Sequence, residues 1–258
     1  QPLKECLVKI DGVESNLVEN TDYSNLHSVT DTSHGMKQSI NTAGGFSITK
    51  FSLGGTSGYG WFKHGFSGDP DWVIRRRVDG SYNWDTWHSS LRSSGDWGTN
   101  MVLWLNSSNS LSDMSSQNRQ NVFRDSGSSG FPKGDGKIYI DKAAALGSDA
   151  DDEFICYAWK AVSGVSAFGT YTGNGSGGGN RVYTTTNGAS NGTGGFRPRF
   201  IMVKMTSAAS SYGGWTIIDA FRSDFGTSGT KALGVSGTEV LYANDSKQEN
   251  QRAGNTSA

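Results

Sequence analysis

Pro70-Asp71-Trp72-Val73-Ile74-Arg75 and Pro198-Arg199-Phe200-Ile201-Met202-Val203 are the stretches on which the fold turns. Each sets a proline and one polar residue ahead of an aromatic-led apolar run. That is how a short strand reads when a turn fixes its entry. A Gly-Phe pair precedes each copy, Gly65-Phe66 and Gly195-Phe196. Downstream, Asn83-Trp84-Asp85-Thr86-Trp87 answers to Gly214-Trp215-Thr216-Ile217-Ile218, and Leu91-Arg92-Ser93 to Phe221-Arg222-Ser223. Val102-Leu103-Trp104-Leu105-Asn106 answers to Val240-Leu241-Tyr242-Ala243-Asn244. Upstream, Ile48-Thr49-Lys50-Phe51-Ser52-Leu53-Gly54 parallels Phe168-Gly169-Thr170-Tyr171-Thr172-Gly173-Asn174. The order is kept while the spacing drifts, as loop insertions between equivalent strands produce. The chain reads as one module written twice.

Composition agrees with many short strands. The 258 residues include 36 glycines, about twice the usual frequency. They also include 8 Trp, 9 Tyr and 12 Phe, an aromatic mass that disordered chains lack. Strand signals recur at Phe46–Phe51, Trp72–Val78, Asn83–Trp87, Met101–Leu105, Lys137–Ile140 and Phe154–Val162. They continue at Ala167–Thr172, Arg181–Thr185, Phe200–Met205, Trp215–Ala220 and Val240–Ala243. Gly, Asn, Asp and Ser fill the gaps. Leu7–Ile10 reads as one early strand. Only Asp141–Leu146 looks helical, and it is too short to stand alone. With no helices to cover them, sheets must face sheets. The expected fold is all-β: two tandem antiparallel β-sandwich modules of jelly-roll or lectin-like kind. Residues 1–44 read as an attachment or linker segment, with Asn41–Gly45 as its flexible end. Residues 45–166 form the first repeat and 167–258 the second.

The second repeat is incomplete by this alignment. Asp245–Ala258 holds no strand signal, so nothing there answers to Lys137–Ile140 or Phe154–Val162. An open core and a bare sheet edge follow. The chain reads as trimmed at both ends, and the missing strands are expected beyond residue 258. The alternatives are supply by the N-terminal segment, Glu5–Val13, or by a neighbouring subunit.

Tyr157 through Gly175, beginning Tyr157-Ala158-Trp159-Lys160, and Gly195-Phe196-Arg197-Pro198-Arg199-Phe200-Ile201-Met202-Val203-Lys204 carry a resemblance, together with Trp215–Arg222. They resemble a repeated domain of uncharacterised virion proteins from marine and cyanobacterial tailed phages. The resemblance covers about residues 46–258. It implies a β-sandwich in a tail, fibre or capsid-surface protein located in the virion. By the same analogy the chain would be a homo-oligomer, a trimer as in phage fibres, contacting other virion proteins and a host surface glycan. It brings no catalytic residues. The leading expectation is a non-enzymatic virion structural protein. The rivals are a glycan-cleaving tailspike-type domain and a lectin-like adhesin.

The net charge of −1 favours neither nucleic acid nor an anionic membrane. Arg75-Arg76-Arg77 reads as the solvated end of a strand. No apolar stretch has the length of a membrane span, and the first residues do not read as a signal peptide. Of the two cysteines, Cys6 and Cys156, the second sits in an apolar run and reads as a buried free thiol.

Motifs for chemistry are weak. Gly188-Ala189-Ser190-Asn191-Gly192 spells a hydrolase elbow but lacks the helix that must follow. Gly173–Gly179 lacks the Lys and the helix of a phosphate loop. The four histidines show no metal spacing, and His64 and His88 read as solvent-facing loop residues. Asp69, Asp71, Asp79, Asp85 and Asp96 surround a Trp-rich segment. Glycan cleavage would need two of these carboxylates facing each other at roughly 5–9.5 Å. Asp149, Asp151, Asp152 and Glu153 are oxygen ligands of the kind calcium takes, so calcium is the one candidate cofactor. Glycan contact needs exposed aromatics. Tyr59, Trp61 and Trp97 lack counterparts in the second copy and are the candidates for that work.

Overall fold

A computed structural model describes residues 8–10, 13–15, 18–20, 36–52, 59–91, 101–113, 136–141, 153–174, 182, 184, 195–196, 198–207, 213–219 and 240–245. The chain is all-β and its sheets are antiparallel. Its strands are β1 (Val8–Ile10), β2 (Val13–Ser15), β3 (Val18–Asn20), β4 (Met36–Asn41), β5 (Phe46–Ser52), β6 (Tyr59–Lys63), β7 (Trp72–Arg77) and β8 (Asp85–His88). Then follow β9 (Met101–Trp104), β10 (Ser112–Asp113), β11 (Lys137–Asp141), β12 (Glu153–Trp159), β13 (Phe200–Lys204), β14 (Trp215–Asp219) and β15 (Leu241–Tyr242). A single 3-10 turn, Ser89–Leu91, is the sole helical piece among the described residues, and none of their helices could cross a membrane.

The chain divides into two compact units. The first comprises Gln1–Tyr82, Trp87–Asn100 and Met114–Lys160. The second comprises Asn83–Thr86, Met101–Asp113 and Ala161–Ala258.

In the first unit the sheet runs β8-β7-β12-β5-β4-β3, with β12 at its centre. Phe154, Cys156 and Ala158 of β12 share a face with Phe51, Thr49 and Ser47 of β5 and with Arg75 and Val73 of β7, because cross-strand partners point the same way. All eight are buried. The β6–β11 pair packs over this face. Phe62 of β6 lies 5.1 Å from Phe51, which stacks 5.6 Å from Phe154. Gln38 Nε2 of β4 donates to Lys63 O at 2.7 Å, joining the layers at one side. This is a two-layer sandwich, and each fully buried Phe in it contributes about 2–3 kcal/mol.

Three expectations need correction here. Asn41–Gly45 is a hairpin turn between β4 and β5. Gly44 N donates to Asn41 Oδ1 at 2.8 Å, and Gly45 takes a φ of 63°. A Gly-rich stretch reads alike as linker or turn until its flanks are known to pair, and Lys37-Gln38-Ser39-Ile40 is too polar to announce a strand. Arg75 is 1 % exposed, not a solvated strand end. Its parity along β7 is that of Val73, so it points into the layer, with its guanidinium 5.7 Å from the Phe154 ring centroid. His64 is fully buried, its Nδ1 accepting from Phe66 N at 3.1 Å. It follows β6 directly and so ends inside the layer, not in a loop.

The second unit holds β13-β14-β15 and the β10-β9 pair with the adjoining start of β8. Here the repeat can be checked atom by atom. Asp85 pairs with Trp104 and Thr86 with Leu103. At the aligned positions Thr216 pairs with Tyr242 and Ile217 with Leu241. Trp84 N donates to Asn106 Oδ1 at 3.0 Å, and Trp215 N to Asn244 Oδ1 at 2.7 Å. Leu105 N reaches Trp84 O at 3.0 Å, and Ala243 N reaches Trp215 O at 3.3 Å. Ser107 N to Trp104 O at 3.1 Å is matched by Asp245 N to Tyr242 O at 3.2 Å. One hairpin design, with an asparagine clamping the backbone before a tryptophan-led strand, is used twice.

Two strand expectations are not met. Ala167–Thr172 runs without strand structure, and Tyr171 is 53 % exposed. Its aligned segment, β5, is held between β4 and β12, and strand propensity alone does not fix an isolated segment. Described residues 182 and 184 of Arg181–Thr185 are likewise outside any strand. Most of Asp141–Leu146 lies outside the described residues.

Candidate functional site

The opposite face of the central strands carries a row of aromatics. Trp159 ends β12, and its register partners are Phe46 at the start of β5 and Trp72 at the start of β7. Three neighbouring strands thus place three aromatic side chains in one row across the sheet. The Phe46 and Trp159 centroids lie 5.1 Å apart, and those of Trp159 and Trp72 4.6 Å apart. Tyr157 sits one step in, 6.2 Å from Trp159 and 6.5 Å from Phe46. It lies between its partners Ile48 and Ile74, which are buried, whereas all four aromatics are half-buried.

Polar groups rim the row at the strand ends. Asp71 precedes Trp72 and Lys160 follows Trp159, with Nζ 3.6 Å from Asp71 Oδ2. The backbone fixes both: Asp71 N donates to Trp159 O at 2.7 Å, and Lys160 N to Gly45 O at 2.8 Å. Ser89 N donates to Asp71 O at 2.8 Å, and Ser89 Oγ lies 3.3 Å from Asp71 Oδ1. Burial lowers the His88 pKa below its ordinary 6.5, while the Asp71 charge pulls it upward. An aromatic row in which Trp159 stacks on Trp72 and tilts by 43° against Phe46, edged by a carboxylate, an ammonium and a hydroxyl, can offer apolar surface to a ligand and hydrogen-bond the groups around it.

The other candidates are differently placed. Tyr59 and Trp61 lie in β6, where their backbones pair with Asp141 and Tyr139 of β11. Their side chains lie outside the described residues, as do Trp97, Asp96, Asp149, Asp151 and Asp152. Glu153 opens β12, and its carboxylate lies 2.8 Å from Lys50 Nζ. Among the described residues no cluster of three or more His, Cys, Asp or Glu could hold a metal. Asp79 is bound by Arg77. Burial would raise its pKa, but the hydrogen bond and charge of Arg77 outweigh that and hold it below the usual value. Asp85 is buried and accepts from Trp104 Nε1 at 3.2 Å. The Cys156 thiol is free and buried, and burial pushes its pKa up to about 12.

The sequence reading missed the row because Phe46, Trp72 and Trp159 all fell in strands and so read as core. A signal was present in β12. Phe154, Cys156 and Ala158 fill one parity, and Ile155, Tyr157 and Trp159 the other, so the strand is apolar on both faces. The smaller residues and Phe154 suffice for the core beneath β6, leaving the larger aromatics for the other side.

Residues 21–257 match the family described as "Domain of unknown function (DUF7483)", and the chain belongs to that family. The match takes in residues of both compact units. No curated protein and no solved structure matches the chain.

Proposed function

Within that family, we propose that this chain is a non-enzymatic structural protein of the capsid surface or tail of a tailed-phage particle, touching host carbohydrate through the Phe46–Trp159–Trp72 row. The row carries the reading. Its rings gather half-exposed aromatic surface across three paired strands, and the Asp71–Lys160 pair at its end offers both a hydrogen-bond acceptor and a donor. Binding is favoured over cleavage because Asp71, Asp79 and Asp85 are each engaged by a lysine, an arginine or an indole. The particle assignment rests on the sequence resemblance.

A glycan array probed with the full chain, followed by titration of the strongest hits, tests the contact. Binding is expected, with at least a tenfold loss in Trp72→Ala and in Asp71→Asn, each checked for fold by far-UV circular dichroism. Silence across the array, or binding that survives both substitutions, would contradict it. Cryo-electron microscopy of a particle carrying the chain tests its place there.

A further inference from the structure

β13 ends at Lys204, whose partner in register on β14 is Trp215. Both side chains reach one stretch of backbone, the one that leaves β9. Trp215 Nε1 donates to Trp104 O at 2.8 Å. The Lys204 ammonium donates to Asn109 O at 2.7 Å and to Ser108 O at 3.3 Å. It also donates to Met205 O at 2.9 Å and to Gly213 O, which flank the connection from β13 to β14. All of these residues lie in the second unit.

The backbone around this point is fixed so that the carbonyls converge. Ser107 N donates to Trp104 O at 3.1 Å, Asn109 N to Ser107 Oγ at 3.1 Å and Leu111 N to Thr206 O at 3.0 Å. An ammonium has three N–H groups, yet four carbonyl oxygens surround this one. Their partial negative charges repel one another, so the cluster needs a positive charge at its centre. Carbonyl oxygens gathered in this way take the place of the water around a hard cation. None of the four is a carboxylate, which suits a monovalent ion, whereas calcium sites add carboxylates. Lys204 is half-buried, which leaves one side of the cage open to water.

We propose that these four carbonyls form a cation site whose resident ion is the chain's own Lys204 ammonium, and that the site takes up a free potassium or ammonium ion when that side chain is removed. The tethered charge holds residues 107–111 against the connection from β13 to β14. The second unit thus carries its own cation at a point where a loop cluster of carbonyls would otherwise have to draw one from solution.

Hydrogen exchange of the full chain, read on peptides covering residues 105–113, tests the proposal in potassium, ammonium and choline chloride at equal ionic strength. The unaltered chain should exchange alike in all three salts. Lys204→Ala should exchange about tenfold faster there in choline, a cation too bulky for the cage, and regain protection in potassium or ammonium. Lys204→Met, whose side chain still fills the space without a charge, should exchange fast in all three. Should Lys204→Ala be unfolded in choline by far-UV circular dichroism, return of its β spectrum in potassium supports the proposal and failure to return overturns it. Equal exchange of Lys204→Ala in choline and potassium would overturn it as well, and so would native protection in choline. Potassium rescue of Lys204→Met would do the same, since it would mark a general salt effect.

Discussion

The hairpins Trp84–Ser107 and Trp215–Asp245 share their register, two backbone bonds and one asparagine side-chain bond, yet the strands that precede them live in different company. β7 is an interior strand, and β13 is an edge among the described residues. The asparagine clamp and the tryptophan both belong to one hairpin, with partners 22 and 29 residues apart, so they recur where the sequence repeats that hairpin. Strand pairing is non-local. It depends on whether a partner comes to the edge, and the second copy holds no counterpart of β12 among its described residues. Tyr171, aligned with Phe51 of β5, shows the consequence. Phe51 is buried in the sandwich, and Tyr171 is exposed. Among the described residues, the hairpin recurs and its surroundings do not.

The largest effect is expected where the copies differ most. Phe154→Ala removes the β12 ring that stacks on Phe51, and should cost about 3–5 kcal/mol in denaturant unfolding. A loss below about 1 kcal/mol would mean that β12 does not hold the first unit together. Lys204→Met should cost on the order of 2 kcal/mol, because charged hydrogen bonds to backbone carbonyls are lost. The same ammonium is held below its usual pKa by burial. The loss should appear in the second unit, followed by hydrogen exchange of its peptides.

Asn106→Ala and Asn244→Ala sharpen the comparison. Each removes one clamp, and each should cost about 1 kcal/mol. Near-equal losses support one hairpin used twice, and a large inequality would break the equivalence. The smallest effect concerns acid. The folded-state pKa of His88 is depressed, so as pH falls the unfolded chain takes up its proton first. The stability tied to His88 is therefore present above pH 6.5 and is lost as pH falls through the folded-state value. His88→Gln should flatten that part of the stability profile. An unchanged slope would show that His88 does not titrate as its burial implies.

Much of the fold was legible. The all-β class followed from glycine with aromatics, and the hairpin equivalence from Trp84 against Trp215 and Asn106 against Asn244. β4 was not legible, because Lys37, Gln38 and Ser39 present no apolar alternation; the strand forms by pairing with β5. β6 was obscured by Gly60 inside Tyr59–Lys63. The buried Arg75 and His64 were unreadable for a shared reason. A polar residue's parity places it inside a layer only once the strand's inner face is known. The aromatic row was written in the sequence residue by residue, but its existence depends on the register of β12 with β5 and β7. No single strand contains that information.

The comparison itself is tested most directly by hydrogen exchange, read peptide by peptide on the dilute full chain. Amides of β7, hydrogen-bonded on both sides, should exchange slowly, while about half of those in β13 exchange fast. Slow exchange throughout β13 in the dilute monomer would show that its edge is covered within the chain. The contrast between the two copies would then be contradicted.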